Sequence, residues 1–116
     1  MSSPNILLGI SNLSIAVLMI LLSVPLLQGR VKMNRIYGAR FKKSFVSDAN
    51  WYKINRYAAK QTMGWAIPLF LVGVAAFFVN FGAQGSVRTG LVVAFAFAPL
   101  MVVIPAMMSY LYAQRL

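Results

Sequence analysis

The side chains able to do chemistry in this chain are few in kind. There is no Cys and no His, and one acidic residue, Asp48, stands against eleven Lys and Arg, for a net charge of +10. Disulfides, thiolate nucleophiles and the usual zinc ligands are therefore ruled out. Acid–base catalysis by paired carboxylates is impossible within one chain, and no all-protein Mg or Ca cage is expected. Neither a metal nor a cofactor is expected, and the chain does not read as an enzyme. What remains is amide, hydroxyl, indole and guanidinium chemistry, which means hydrogen bonding and the attraction of anions.

Those groups gather in one stretch, residues 28–60. Nine of the eleven cations lie there: Arg30, Lys32, Arg35, Arg40, Lys42, Lys43, Lys53, Arg56 and Lys60. Nine less Asp48 leaves this loop at +8. Beside membrane spans, such charge points first to anionic lipid headgroups rather than nucleic acid, with Arg30, Lys32, Arg35, Lys42, Lys43, Lys53, Arg56 and Lys60 as the expected contacts. Tyr37-Gly38 marks a turn, because Gly accepts positive φ and Asn34 is placed to bond the local backbone. Ser47 is the expected N-cap of a helix whose first turn holds Asp48 at its positive end. That helix is expected to run on into the next membrane span. Trp51, Asn55, Ala58 and Thr62 share one of its faces, while Lys53, Tyr57 and Lys60 lie on another. Tyr52 and Arg56 are spaced for a cation–π contact. Arg40, between Ala39 and Phe41, has Asp48 as its one internal counter-charge, and a bridge between the two is expected.

The elements that must position this loop are membrane helices. Hydrophobic residues make up 60% of the chain and charged residues 10%, against about 25% in a typical soluble domain. A soluble fold of 116 residues has too little interior to hide that much apolar surface. Residues 5–27 read as the first span, about 34 Å of helix against a bilayer core of about 30 Å. The stretch is too long, and too poor in N-terminal basic residues, for a signal peptide. A second span is expected over 61–81 with Trp65 as an interfacial anchor, then a polar, Gly-rich turn at 80–86, then a third span over 89–113 ending near Tyr110 and Tyr112. The positive-inside rule sets the basic loop and Arg115 in the cytoplasm, and the N-terminus and Arg88 outside. The expectation is one all-α integral membrane domain over residues 1–116, with three transmembrane helices and a short interfacial helix in its cytoplasmic loop.

The spans hold few polar residues. Asn12 is expected to face another helix, where its amide finds a partner. Pro25, Pro68, Pro99 and Pro105 each free a backbone carbonyl. The pair in the third span marks either a tolerated kink or a broken, site-forming helix. No span carries a central ionisable residue, which argues against a pump or a proton-coupled transporter.

The run Asn34-x-x-Tyr37-Gly38-x-Arg40, then Ser44, then Trp51-x-x-x-Asn55, leading through Ala58-Ala59 into a span, resembles the SdpI family. These are small bacterial membrane proteins named after immunity to a sporulation-delaying toxin. Two positions depart from the family pattern: Phe41 stands where Thr is usual, and Ser47-Asp48-Ala49-Asn50 is less acidic than usual. The resemblance implies a short member carrying only the shared three-helix domain, multi-pass in the bacterial plasma (inner) membrane. It implies a non-enzymatic component that protects against or senses a membrane-active peptide toxin, with lipids and a toxin or membrane protein as partners. Asn34, Tyr37, Gly38, Arg40, Ser44, Asp48, Trp51 and Asn55 are its candidate binding residues. The alternative is a small accessory subunit of a larger membrane complex, packed through small residues such as Gly73 and Ala94. A loop that merely orients the chain would need its cations, but not this cluster of Asn, Gly, Ser and Trp.

Overall fold

A computed structural model describes residues 3–82 and 85–116. It is helical, with no strand among the described residues. The order is α1 (Ser3–Leu27), a 3-10 turn (Lys42–Phe45), α2 (Asp48–Ala76), α3 (Gly85–Phe97), a 3-10 segment (Ala98–Val102) and α4 (Val103–Gln114). The body is elongated, 55 × 23 × 20 Å. Two helical stretches are long and apolar enough to cross a membrane: Ser3–Leu27, and Val87–Gln114 counted through the 3-10 segment. α2 is longer than either expected span, about 43 Å at 1.5 Å per residue. Its first half carries Lys53, Arg56 and Lys60, and charge is absent only from Gln61 onward.

α1 and α2 form the central antiparallel pair, and their closeness depends on small residues. A Cβ added to Gly73 would lie 2.9 Å from the Leu13 backbone nitrogen, and one on Gly9 would lie 2.3 Å from the Phe77 ring. Ala16, Met19, Ala66 and Leu69 pack together at one level. Trp65 is half-buried against this cluster. Leu8, Ala76 and Phe81 form a second cluster, joined by Phe95.

One expected boundary shifts, and one expected span is interrupted. The helix of the second span ends at Ala76 rather than 81. Past it the chain folds over the start of α1: Asn5 Nδ2 donates to the carbonyls of Ala76 and Val79, each at 2.7 Å, and Phe81 turns inward, edge-on to Phe95. The turn expected at 80–86 is held at its near end by the Gly82 amide donating to Asn80 Oδ1 at 2.9 Å. Ala83 and Gln84, in its middle, lie outside the described residues. The third span is not one uniform helix, because it tightens to 3-10 geometry around Pro99. In a continuous α-helix residue 99 would donate to the Phe95 carbonyl, and proline has no N–H to give. Asn12 Nδ2 takes that carbonyl instead, at 3.0 Å, while also donating to Leu8 at 2.8 Å. Asn12 thus faces another helix as expected, and what it binds there is the acceptor the proline freed.

Candidate functional site

The loop between α1 and α2 is a folded unit. α1 stops at Gly29, whose φ of +70° suits a residue without Cβ. The Arg30 amide donates to Pro25 and the Gly29 amide to Leu26, the paired bonds of a Schellman terminus. The chain then doubles back. Asn34 Oδ1 accepts from the amides of Ile36 (2.9 Å) and Tyr37 (2.6 Å), and its Nδ2 donates to Lys32, closing the turn expected there. The Tyr37 hydroxyl donates to the Leu22 carbonyl. Leu22 lies five residues before the end of α1, so the turn lies about 7 Å back along that helix.

Gly38 is the tightest point. Its φ is +120°, and a Cβ there would meet Asn55 Oδ1 at 2.7 Å and the Trp51 ring at 3.2 Å. Asn55 Oδ1 accepts from the Ala39 amide at 2.6 Å, and its Nδ2 donates to the Trp51 carbonyl at 2.9 Å. Trp51 is fully buried, and its indole N–H donates to the Val31 carbonyl at 2.9 Å. Ser44, also fully buried, donates to Ala39 at 2.8 Å and accepts from the Phe41 amide at 3.1 Å. Ser47 caps α2 through the Asn50 amide at 3.1 Å, and Asp48 lies in the first turn, as the sequence indicated. Trp51 and Asn55 face inward together because four residues separate them on a helix.

Two expected pairings are not made. Arg40 donates to the Arg35 carbonyl instead of reaching Asp48, and no ion pair joins the two. Arg40 is thus turned back over its own loop, while Asp48 stays exposed in the first turn of α2. Arg56 directs Nε to the Leu27 carbonyl at 3.4 Å rather than lying over Tyr52. One more contact was not foreseen. The end of α4 docks on the loop: Tyr110 lies edge-on to Phe41 at 5.7 Å, Tyr112 stacks on Tyr57 at 4.1 Å, and Lys43 Nζ donates to the Leu116 main-chain oxygen at 2.5 Å. Phe41, one of the two departures from the family pattern, thus has a ring partner on α4.

The amides, hydroxyls and indole of the motif are therefore engaged with backbone, and they shape the loop. The cations are turned out: Arg30, Lys32, Arg35, Arg40, Lys42, Lys53, Arg56 and Lys60 are exposed, and Lys43 is half-buried. Beneath the loop, α1, α2 and α4 leave an open groove of about 1570 Å³, with Arg35 and Arg40 on its loop wall and apolar helix residues as its floor.

The model of the SdpI/YfhL protein family matches residues 30–111. The chain belongs to that family. The match takes in the folded loop, α2, α3 and all but the last turn of α4, with α1 outside its bounds. No curated protein and no solved structure matches the chain. Membership bears out the resemblance carried by Asn34, Gly38, Arg40, Trp51 and Asn55. Within this SdpI-family chain those residues are the ones that fold residues 31–55 into a single unit.

Proposed function

We propose that this SdpI-family protein is a non-enzymatic binding component of the bacterial inner membrane, protecting against or sensing a membrane-active peptide toxin through its folded basic loop. On this reading it crosses the membrane three times. The uncharged second half of α2 supplies the middle crossing, the loop is cytoplasmic, and the N-terminus and Arg88 are outside, in line with the positive-inside rule. The observation that carries the reading is the preformed loop. The buried or half-buried side chains of Asn34, Tyr37, Ser44, Trp51 and Asn55 hold its backbone, and eight exposed cations stand around it with the apolar side chains of Ile36 and Val46. A mere orientation signal needs the charge, but not the Gly38–Trp51–Asn55 lock. A surface held rigid before binding loses less entropy when a partner arrives.

The test is survival. Expressed in a toxin-sensitive strain, the protein is expected to protect, and Arg40→Ala and Trp51→Ala are expected to weaken protection while still reaching the membrane. Absence of protection with the protein present in the membrane would contradict the immunity reading.

One observation favours a second reading, an accessory subunit of a larger complex. Only 6% of the most apolar stretch of Val87–Gln114 is buried within the chain, leaving Val93, Phe97 and Leu100 uncovered. Stoichiometric co-purification with a larger membrane complex in mild detergent would support that reading.

A further inference from the structure

We propose that the groove under the basic loop is a specific site for one anionic phospholipid of the surrounding bilayer, its phosphate held by Arg35 and Arg40 and its acyl chains laid along α1 and α4. The inference rests on the membrane reading above. It differs from a general attraction of cations to headgroups in assigning one cavity and two of the nine loop cations.

The groove has two chemically distinct halves. Its floor is drawn from Ile15, Met19 and Leu22 of α1, Ala59 of α2, Val102 at the end of the 3-10 segment and Ala106 of α4. Its loop wall is the 33–41 segment, where Arg35 and Arg40 are both exposed. The Arg40 guanidinium donates to the Arg35 carbonyl, which fixes its base while leaving further N–H groups for an anion. The Tyr37–Leu22 hydrogen bond sets the depth. It holds this wall about one and a half helical turns back from the end of α1, where the apolar span gives way to polar chain. An occupant must therefore be apolar along one length and anionic at one end.

Size and charge single out a lipid. At about 1570 Å³ the groove exceeds the roughly 300–1,000 Å³ of sites that take drug-sized ligands, and it is open along its length. The two acyl chains of a phospholipid suit such a trough. The charge is complementary, since guanidinium groups bind phosphate in paired hydrogen bonds and the loop carries no acid but Asp48. Two hydroxyls lining the floor make no demand on an occupant, since Ser23 donates to Met19 at 2.6 Å and Ser109 to Pro105 at 2.6 Å, both within their own helices; Thr62 adds one small polar group among apolar neighbours.

The experiment is native mass spectrometry of the full chain released from nanodiscs of phosphatidylglycerol and phosphatidylcholine in equal amounts. The expected result is one retained phosphatidylglycerol per chain, enriched over phosphatidylcholine by at least about fivefold, the factor a single cation near a headgroup supplies. Arg35→Gln with Arg40→Gln should abolish the enrichment. Lys53→Gln with Lys60→Gln removes equal charge elsewhere and should leave it intact. Ala106→Phe, which fills the floor without touching charge, should eliminate retention. Helical circular dichroism and an unchanged elution volume identify variants that fold.

Equal loss in both double variants, or equal retention of the two lipids by the parent, would overturn the proposal. So would a soluble glycerophosphoglycerol headgroup competing as well as the intact lipid, or a co-purified peptide occupying the groove. If the chain fails to enter the disc at all, the membrane reading falls with it. If it enters and retains no lipid, only this inference falls.

Discussion

The Asn55 amide serves two elements at once. It accepts from Ala39 in the loop and donates to Trp51 in its own helix, and it is fully enclosed. Removing it by Asn55→Ala leaves the half-buried Ala39 N–H without that acceptor, at a cost of about 1 kcal/mol. The expected outcome is a lowered midpoint of thermal unfolding in detergent, with faster amide exchange across 31–45 and little change in α3. Gly38 is sensitive for a different reason. At φ +120° a Cβ is strained whatever the space, and here it would also meet Asn55 Oδ1 at 2.7 Å. Gly38→Ala should cost about 1–3 kcal/mol and destabilise the same segment. Cooperative loss from both variants across one set of amides would mark a single unit. Independent local effects would contradict it. The residue types of this lock were legible in the sequence, as was their sharing of a face at 51 and 55. Their partners were not. Hydrogen bonds from side chains to the backbone of residues 31 and 39 follow from where a loop returns, and composition does not encode that path.

The start of α2 was the most legible boundary, while its end was not, since the helix stops at Ala76 rather than 81. The Ser47 cap and the run of α2 onward from Asp48 follow from local chemistry, and Ser47→Ala should lower stability by about 1 kcal/mol, read from the same thermal midpoint. The C-terminal glycine at 29, just past the last apolar residue of α1, is equally local in its chemistry, although it was not singled out from the sequence. The break in the third span was half legible. Two prolines announced it, but the reason it is tolerated lies in α1, where Asn12 donates to the carbonyl that Pro99 leaves free. The same Asn12 keeps its Oδ1 buried with no partner among the described residues. Asn12→Leu therefore loses an interhelical bond of about 0.6 kcal/mol and also relieves an unpaired acceptor. A double-mutant cycle follows. Pro99→Ala restores a backbone donor for Phe95, so Asn12→Leu should cost less in that background than in the parent. Strict additivity of the two changes, measured by unfolding in mixed detergent, would show that the two residues do not share the Phe95 carbonyl.

At the scale of the molecule, composition foretold helices and an apolar exterior, while the groove and the docking of α4 on the loop were beyond it. Both arise from elements distant in sequence: Tyr57 stacks on Tyr112, and Phe41 meets Tyr110. They make the end of α4 part of the loop's foundation, so Tyr112→Ala should loosen the loop although it lies outside the motif. Amide exchange over 41–57 checks this. The central claim is that this folded loop stands on the cytoplasmic side of a three-span chain. The chain has no native cysteine, so single-cysteine labelling tests the claim without background. Ala49→Cys lies in the exposed first turn of α2, and Val87→Cys lies in the exposed first turn of α3. With a membrane-impermeant maleimide on intact spheroplasts, Val87→Cys should label at once and Ala49→Cys only after permeabilisation. Labelling of Ala49→Cys in intact cells, or of both sites alike, would contradict the account.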